Sequence, residues 1–297
     1  MSAKNHVSHH ALLLMPLLAA CPAQAENGWD ETLRGKPLDL TGATLIYREE
    51  FDRELSLKGP VLWAKQHADV GLGSFDQAGG YAYLFRDGLL SLRAYQDSAG
   101  YHSGNVQSTS ALQAYQGKKI IPGKQGFVCT GCYWEARIRF PKAYGSWGAF
   151  WLLSPDDPKQ RGHLEVDGIE YYGIGDARGH HHAIHHQTRN KAGRTHSSDY
   201  TGMDEIADFD WHIYGIDLRG KAELNGKPAL TVYFDGQEVA RIAAGPKYFS
   251  TPFYFLLTLQ VNNHPSVKKW TMPQIMDIDY VRVWKEANSP KSGQVEK

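Results

Sequence analysis

Tyr81-Ala-Tyr-Leu-Phe-Arg-Asp-Gly-Leu-Leu-Ser-Leu-Arg-Ala-Tyr95 carries the first decision about the fold. Two runs rich in aromatic and aliphatic residues flank Asp87-Gly88, a pair suited to the left-handed backbone of a two-residue hairpin turn. Leu230-Thr-Val-Tyr-Phe234, Asp235-Gly236 and the run 237–242 repeat the device, and Asn225-Gly226 marks a third turn. Working outward, strand-like runs recur over 131–140, 149–153, 164–172, 211–218, 253–260 and 278–284. No helical periodicity of useful length separates them. Many short strands joined by turns predict an all-β antiparallel sandwich.

The chain has 297 residues, 42% of them hydrophobic and 22% charged, which excludes disorder throughout. Lys plus Arg number 32 and Asp plus Glu also 32, so no general basic field holds nucleic acid, and no nucleic-acid partner is expected. Residues 1–25 read as an export signal: Lys4 precedes Ala11-Leu-Leu-Leu-Met-Pro-Leu-Leu-Ala-Ala20, about half the ~20 residues a bilayer span needs. Two readings of its end stand. Ala23-Gln24-Ala25 is a signal-peptidase pattern, whereas Leu18-Ala19-Ala20-Cys21 resembles a lipobox, with a signal over 1–20 and a lipid on Cys21. Either way the mature chain is extracytoplasmic: secreted, periplasmic or lipid-anchored. No Pro/Ser-rich linker interrupts 26–286, which reads as one domain, expected to be a monomer, before a polar tail over 287–297. Cys129-Thr-Gly-Cys132 lacks the βαβ setting of a redox motif and the second pair of a zinc site, so a short disulfide is the reading taken.

The stretch with most chemistry is His163-Leu-Glu165-Val-Asp167-Gly-Ile-Glu170-Tyr-Tyr-Gly173. Residues two apart on a strand share a face, so Glu165 and Asp167 point together and Glu170 does not. One extra residue in a β-bulge restores Glu170 to that face, and Gly168 tolerates a bulge. Three carboxylates on one face repel one another. An exposed acidic strand or a cation site would show the same spacing; glycoside hydrolysis requires such an arrangement, with two carboxyl groups flanking the scissile bond.

Glu165-Val166-Asp167-Gly168-Ile169-Glu170 resembles the bulged Glu-hydrophobic-Asp-x-x-Glu signature of glycoside hydrolase family 16. The resemblance continues in family order through Glu50-Phe51-Asp52, Tyr133-Trp-Glu-Ala-Arg-Ile-Arg-Phe-Pro141 and Gly145-Ser-Trp-Gly-Ala-Phe-Trp-Leu-Leu153. It resumes in Trp211-His-Ile-Tyr-Gly-Ile-Asp217, Val232-Tyr-Phe-Asp-Gly236 and Met276-Asp-Ile-Asp-Tyr-Val-Arg-Val-Trp284. It implies a concanavalin A-like β-jelly roll of two curved antiparallel sheets, with a cleft across the concave one. It also implies a retaining endo-acting enzyme with Glu165 as nucleophile, Glu170 as acid/base and Asp167 between them. Gly168 departs from the hydrophobic residue usual there and implies a more flexible bulge. A β-1,3-glucan is the substrate the bulged form suggests. Asn262-Asn263, where the glucanases have Gly-Gly, leaves a galactan or bacterial exopolysaccharide open, as does a transglycosylase or a lectin-like binding protein on the same fold.

Sugar rings pack on aromatic faces while their hydroxyls need polar partners. The resemblance places Trp147, Trp151, Asn105, His185, Gln260 and Asn262 around the polysaccharide, and leaves Trp63, Trp211 and Trp284 to the core. His180-His-His-Ala-Ile-His-His186 invites a metal reading, but strand alternation splits it between two faces, and sugar contact by His185 is the reading preferred. Catalysis by carboxylates needs no cofactor. The resemblance adds a structural calcium on the convex side, at Glu50 and Asp279.

Overall fold

The computed structural model describes residues 36–65, 71–110, 126–155, 162–176, 180–188, 191–200 and 209–287. The expected signal over 1–25 with Cys21, and all of the expected tail except residue 287, lie outside the described residues. In chain order the strands are β1 (Ala43–Glu49), β2 (Trp63–Ala64), β3 (Ser74–Phe75), β4 (Tyr83–Arg86), β5 (Leu89–Asp97), β6 (Gly100–Gln107), β7 (Cys132–Arg139) and β8 (Ser146–Leu153). They continue as β9 (Gly162–Tyr171), β10 (His180–Thr188), β11 (Lys191–Tyr200), β12 (His212–Leu224), β13 (Lys227–Phe234) and β14 (Gln237–Ala243). After a single turn of helix, α1 (Lys247–Ser250), come β15 (Tyr254–Val261) and β16 (Gln274–Glu286). Among the described residues no helix is long and apolar enough to cross a bilayer.

The three turns read from the sequence close the hairpins they mark. Arg86 pairs with Leu89 across Asp87-Gly88, Leu224 with Lys227 across Asn225-Gly226, and Phe234 with Gln237 across Asp235-Gly236. Asp87 and Gly88 have φ of 55° and 75°, Asn225 and Gly226 53° and 71°, Asp235 and Gly236 48° and 74°. Two successive left-handed residues match the right-handed twist of the flanking strands, which is why Asp-Gly and Asn-Gly stand there.

Strands β11-β10-β9-β8-β15-β6 form one curved layer and β5-β16-β7-β12-β13-β14 the other, joined at one edge by the antiparallel pair β5–β6. The first strand pairs with the last, Ala43 opposite Glu286 and Glu49 opposite Val281. Phe150, Leu152, Val166, Ile169, Leu257 and Leu259 from the first layer meet Trp134, Ala136, Ile138, Ile216, Val232 and Val281 from the second in one buried core. Apolar area removed from water here, at about 25 cal/mol per Å², is the main drive to fold. Among the described residues the wholly buried indole is Trp134, whereas Trp63, Trp211 and Trp284 are only partly buried, a correction to the core reading. Trp211 is half-buried, with Arg137 and Arg139 over its ring at 4.8 and 5.0 Å from the ring centre. Cys129 and Cys132 are joined as a disulfide beside the backbone bridge from Cys129 to Phe253.

Candidate active site

Strand β9 carries the three acids, and pairing on both sides locates its bulge. Asp167 lies opposite Trp151 while Ile169 lies opposite Phe150, and on the other edge Asp167 faces Ala183 while Glu170 faces His181. One extra residue therefore sits between Asp167 and Glu170. Leu164, Val166, Ile169 and Tyr171 join the core, so Glu165, Asp167 and Glu170 all turn to the concave face.

Gly168 is closely packed against the facing layer. A Cβ at that position would stand 2.3 Å from Cδ1 and Cγ1 of Ile216 on the facing layer. The volume a hydrophobic residue would fill is already taken by Ile216, and only glycine fits without displacement. The Gly168 carbonyl accepts from Nδ1 of His182 at 2.6 Å. His182 is buried from water, and that burial pushes its imidazole down to about 4, so the ring stays neutral with Nδ1–H as donor.

The concave face is densely polar at one place. Asp167 is 5% exposed and lies 3.0 Å from Nε2 of His185, which is 7% exposed and 4.0 Å from Oε1 of Glu165. On the other side of that carboxylate, Nε2 of His163 stands 3.8 Å from Oε2. Glu170 accepts from the Trp147 indole at 2.9 Å and from the Tyr172 hydroxyl. Burial first, and then the neighbouring Glu170 charge, push the Tyr172 phenol far above its ordinary value, so it remains a donor. The Trp147 and Tyr172 rings are 5.8 Å apart, Tyr172 meets the His181 ring at 4.5 Å, and His181 pairs with Asp176.

The structure thus brings together Glu165, Asp167, Glu170, His185 and Trp147. The remaining candidates lie on or beside the concave layer in other roles. Trp151, next to Asp167, packs in a second apolar cluster with Ala149, Leu153, Tyr254 and Leu256. Asn105 is wholly buried opposite Thr258, the Oε1 of Gln260 accepts from the Gly71 amide at 2.9 Å, and Oδ1 of Asn262 accepts from the His264 amide at 2.8 Å. The last two amides thereby satisfy backbone donors where the chain crosses or turns away from the sheet. Sequence reading missed His163, Tyr172 and Asp176. Tyr172 was within reach of it, because the two-residue period that places Glu170 also places Tyr172.

Among the described residues, Glu165, Asp167 and His185 are the group of three side chains able to hold a metal ion, and it coincides with the acids themselves. Strand alternation sends His182 into the core, away from that group. On the convex side Glu50 is gripped by Arg282 at 2.9 and 2.8 Å, and Asp279 by Arg137 at 2.6 Å. Each of these two carboxylates thus already has a guanidinium partner.

Two curved antiparallel layers with a bulged acidic strand on the concave face define a β-jelly roll. Among solved structures the chain is similar to a laminarinase from Flavobacterium sp. UMI-01, at 21% identity, TM-score 0.58, with 82% of this chain and 100% of that one covered. SCLam, a non-specific endo-β-1,3(4)-glucanase from family GH16, aligns at 18% identity and TM-score 0.64, covering 89% of this chain and 98% of that one. The catalytic domain of a Thermotoga petrophila endo-1,3-β-glucanase aligns at 20% identity and TM-score 0.58, covering 84% and 100%. The chain shares the fold of these enzymes. No protein-family profile and no curated protein matches its sequence.

Proposed function

We propose that this chain is a retaining, endo-acting glycoside hydrolase of family 16 that cleaves internal β-glycosidic bonds of a β-glucan, with laminarin as the polymer to test first. The observation that carries the reading is the bulge, which turns Glu165, Asp167 and Glu170 to one face at the cost of burying mutual repulsion. Glu170 gives its proton to the glycosidic oxygen as that C–O bond breaks, and Glu165 forms an ester to the anomeric carbon. Water then attacks the same carbon, Glu170 takes its proton, and Glu165 leaves as carboxylate. His185 and His163 steady the nucleophile's neighbourhood from opposite sides. The chemistry calls for no cofactor, and calcium at the convex side would have to displace Arg282 from Glu50 and Arg137 from Asp279. An export signal at the N-terminus suits an enzyme whose polymeric substrate lies outside the cell.

Glu165→Gln keeps the side chain's size, and it is expected to abolish release of reducing ends from laminarin with an unchanged melting temperature. Proton NMR of the first product should show the β-anomer. Full activity in Glu165→Gln would overturn the reading.

A further inference from the structure

A general acid works only if its proton points at the leaving oxygen, and a glutamate free to rotate spreads over many rotamers. Glu170 is not free. The Trp147 indole reaches it from β8, one strand away, and the Tyr172 hydroxyl reaches it from two residues along its own chain. The two donors touch each other at 5.8 Å between ring centres. Tyr172 is in turn backed by the His181 ring at 4.5 Å, and His181 is fixed by Asp176 from the segment after β9. An indole N–H only donates, and the Tyr172 phenol keeps its proton, so neither can replace Glu170 as acid or base.

We propose that Trp147 and Tyr172 are positioning residues that aim the Glu170 carboxyl along the bond to be cut, with the His181–Asp176 pair bracing Tyr172. This deepens the proposed function and rests on it. The contribution should appear wherever proton transfer by Glu170 matters and shrink wherever it does not.

The test compares laminarin with 2,4-dinitrophenyl β-laminaribioside in the presence of azide. Laminarin has a poor leaving group and needs the proton. Dinitrophenolate departs with the bond's electron pair and no proton, and azide opens the Glu165 ester without a base, giving the glycosyl azide and free carboxylate. General acid–base help is worth about 10²–10⁴-fold. Misaiming the acid should therefore lower kcat on laminarin about 10–100-fold in Tyr172→Phe and in Trp147→Phe. On the aryl glycoside with azide the loss should be at least about tenfold smaller, since the step that needs aim is bypassed. Equal losses on both substrates would mean these residues serve only structure, and no loss on laminarin would mean they aim nothing; either overturns the inference. A wild-type protein inactive on both substrates would instead bring down the proposed function, and this inference with it.

Discussion

Acidification should loosen this protein through one imidazole behind its acidic strand. His182 is buried against the bulge and its imidazole is pushed down to about 4, from an ordinary value of 6.5, by loss of hydration. Its folded-state value lies below its unfolded value. The group's contribution is therefore complete above pH 6.5 and is lost as pH falls through the window down to about 4. One unit is worth 1.36 kcal/mol, so the fold should lose about 2 kcal/mol between pH 7 and pH 5, and about 3 kcal/mol by pH 4. The perturbation is His182→Gln, whose amide can still donate to the Gly168 carbonyl and does not titrate. Urea denaturation of wild type and variant across pH 7.5 to 4 isolates the effect, because every carboxylate is common to both. The difference between the two proteins should narrow in favour of the variant as pH falls. A difference that stays flat from pH 7.5 to 4 would refute the reasoning.

Three further outcomes are expected. Gly168→Ala drives a Cβ into Ile216 at 2.3 Å and should cost about 1–3 kcal/mol in urea unfolding, with Ile216→Val recovering part of it. Glu135, 7% exposed and accepting from Tyr133 at 2.9 Å and Tyr280 at 3.1 Å, has its carboxyl pushed up by burial. Its folded value exceeds the unfolded one, so its contribution is fullest in acid and fades as pH rises; Glu135→Gln should melt higher than wild type at pH 8 and level with it near pH 4. Arg219, with a side chain 2% exposed, bridges Asp217 at 2.7 Å and Glu286 at 2.9 Å. Arg219→Met strands the buried Asp217 charge and should cost about 3–5 kcal/mol, read by the same denaturation assay.

Much of this molecule was legible in its sequence because the signals are local. Asp87-Gly88, Asn225-Gly226 and Asp235-Gly236 each fix a turn through the backbone of two residues, and all three hairpins form where those pairs stand. The bulge could be read from parity alone, since three acids on a two-residue period need one extra residue to face one way. What stayed hidden depends on residues far apart in the chain. The Ile216 side chain that bars a Cβ at Gly168, and the Arg282 and Arg137 partners of Glu50 and Asp279, all come from distant parts of the chain. Trp147 read as a sugar platform, because nothing near it in sequence announces a hydrogen bond to Glu170 one strand away.

Pairing the first strand with the last has a consequence in time. At about 5–20 residues per second, Ala43 and its partner Glu286 are synthesised about 10–50 s apart. The late partner is also central, for β16 lies between β5 and β7 in the second layer. Until it arrives, those neighbours present open edges of the kind that recruit foreign strands. The finished sheet therefore closes from its middle, in a slow step dominated by distant contacts, and a chain ending before residue 274 would lack its keystone rather than its trim.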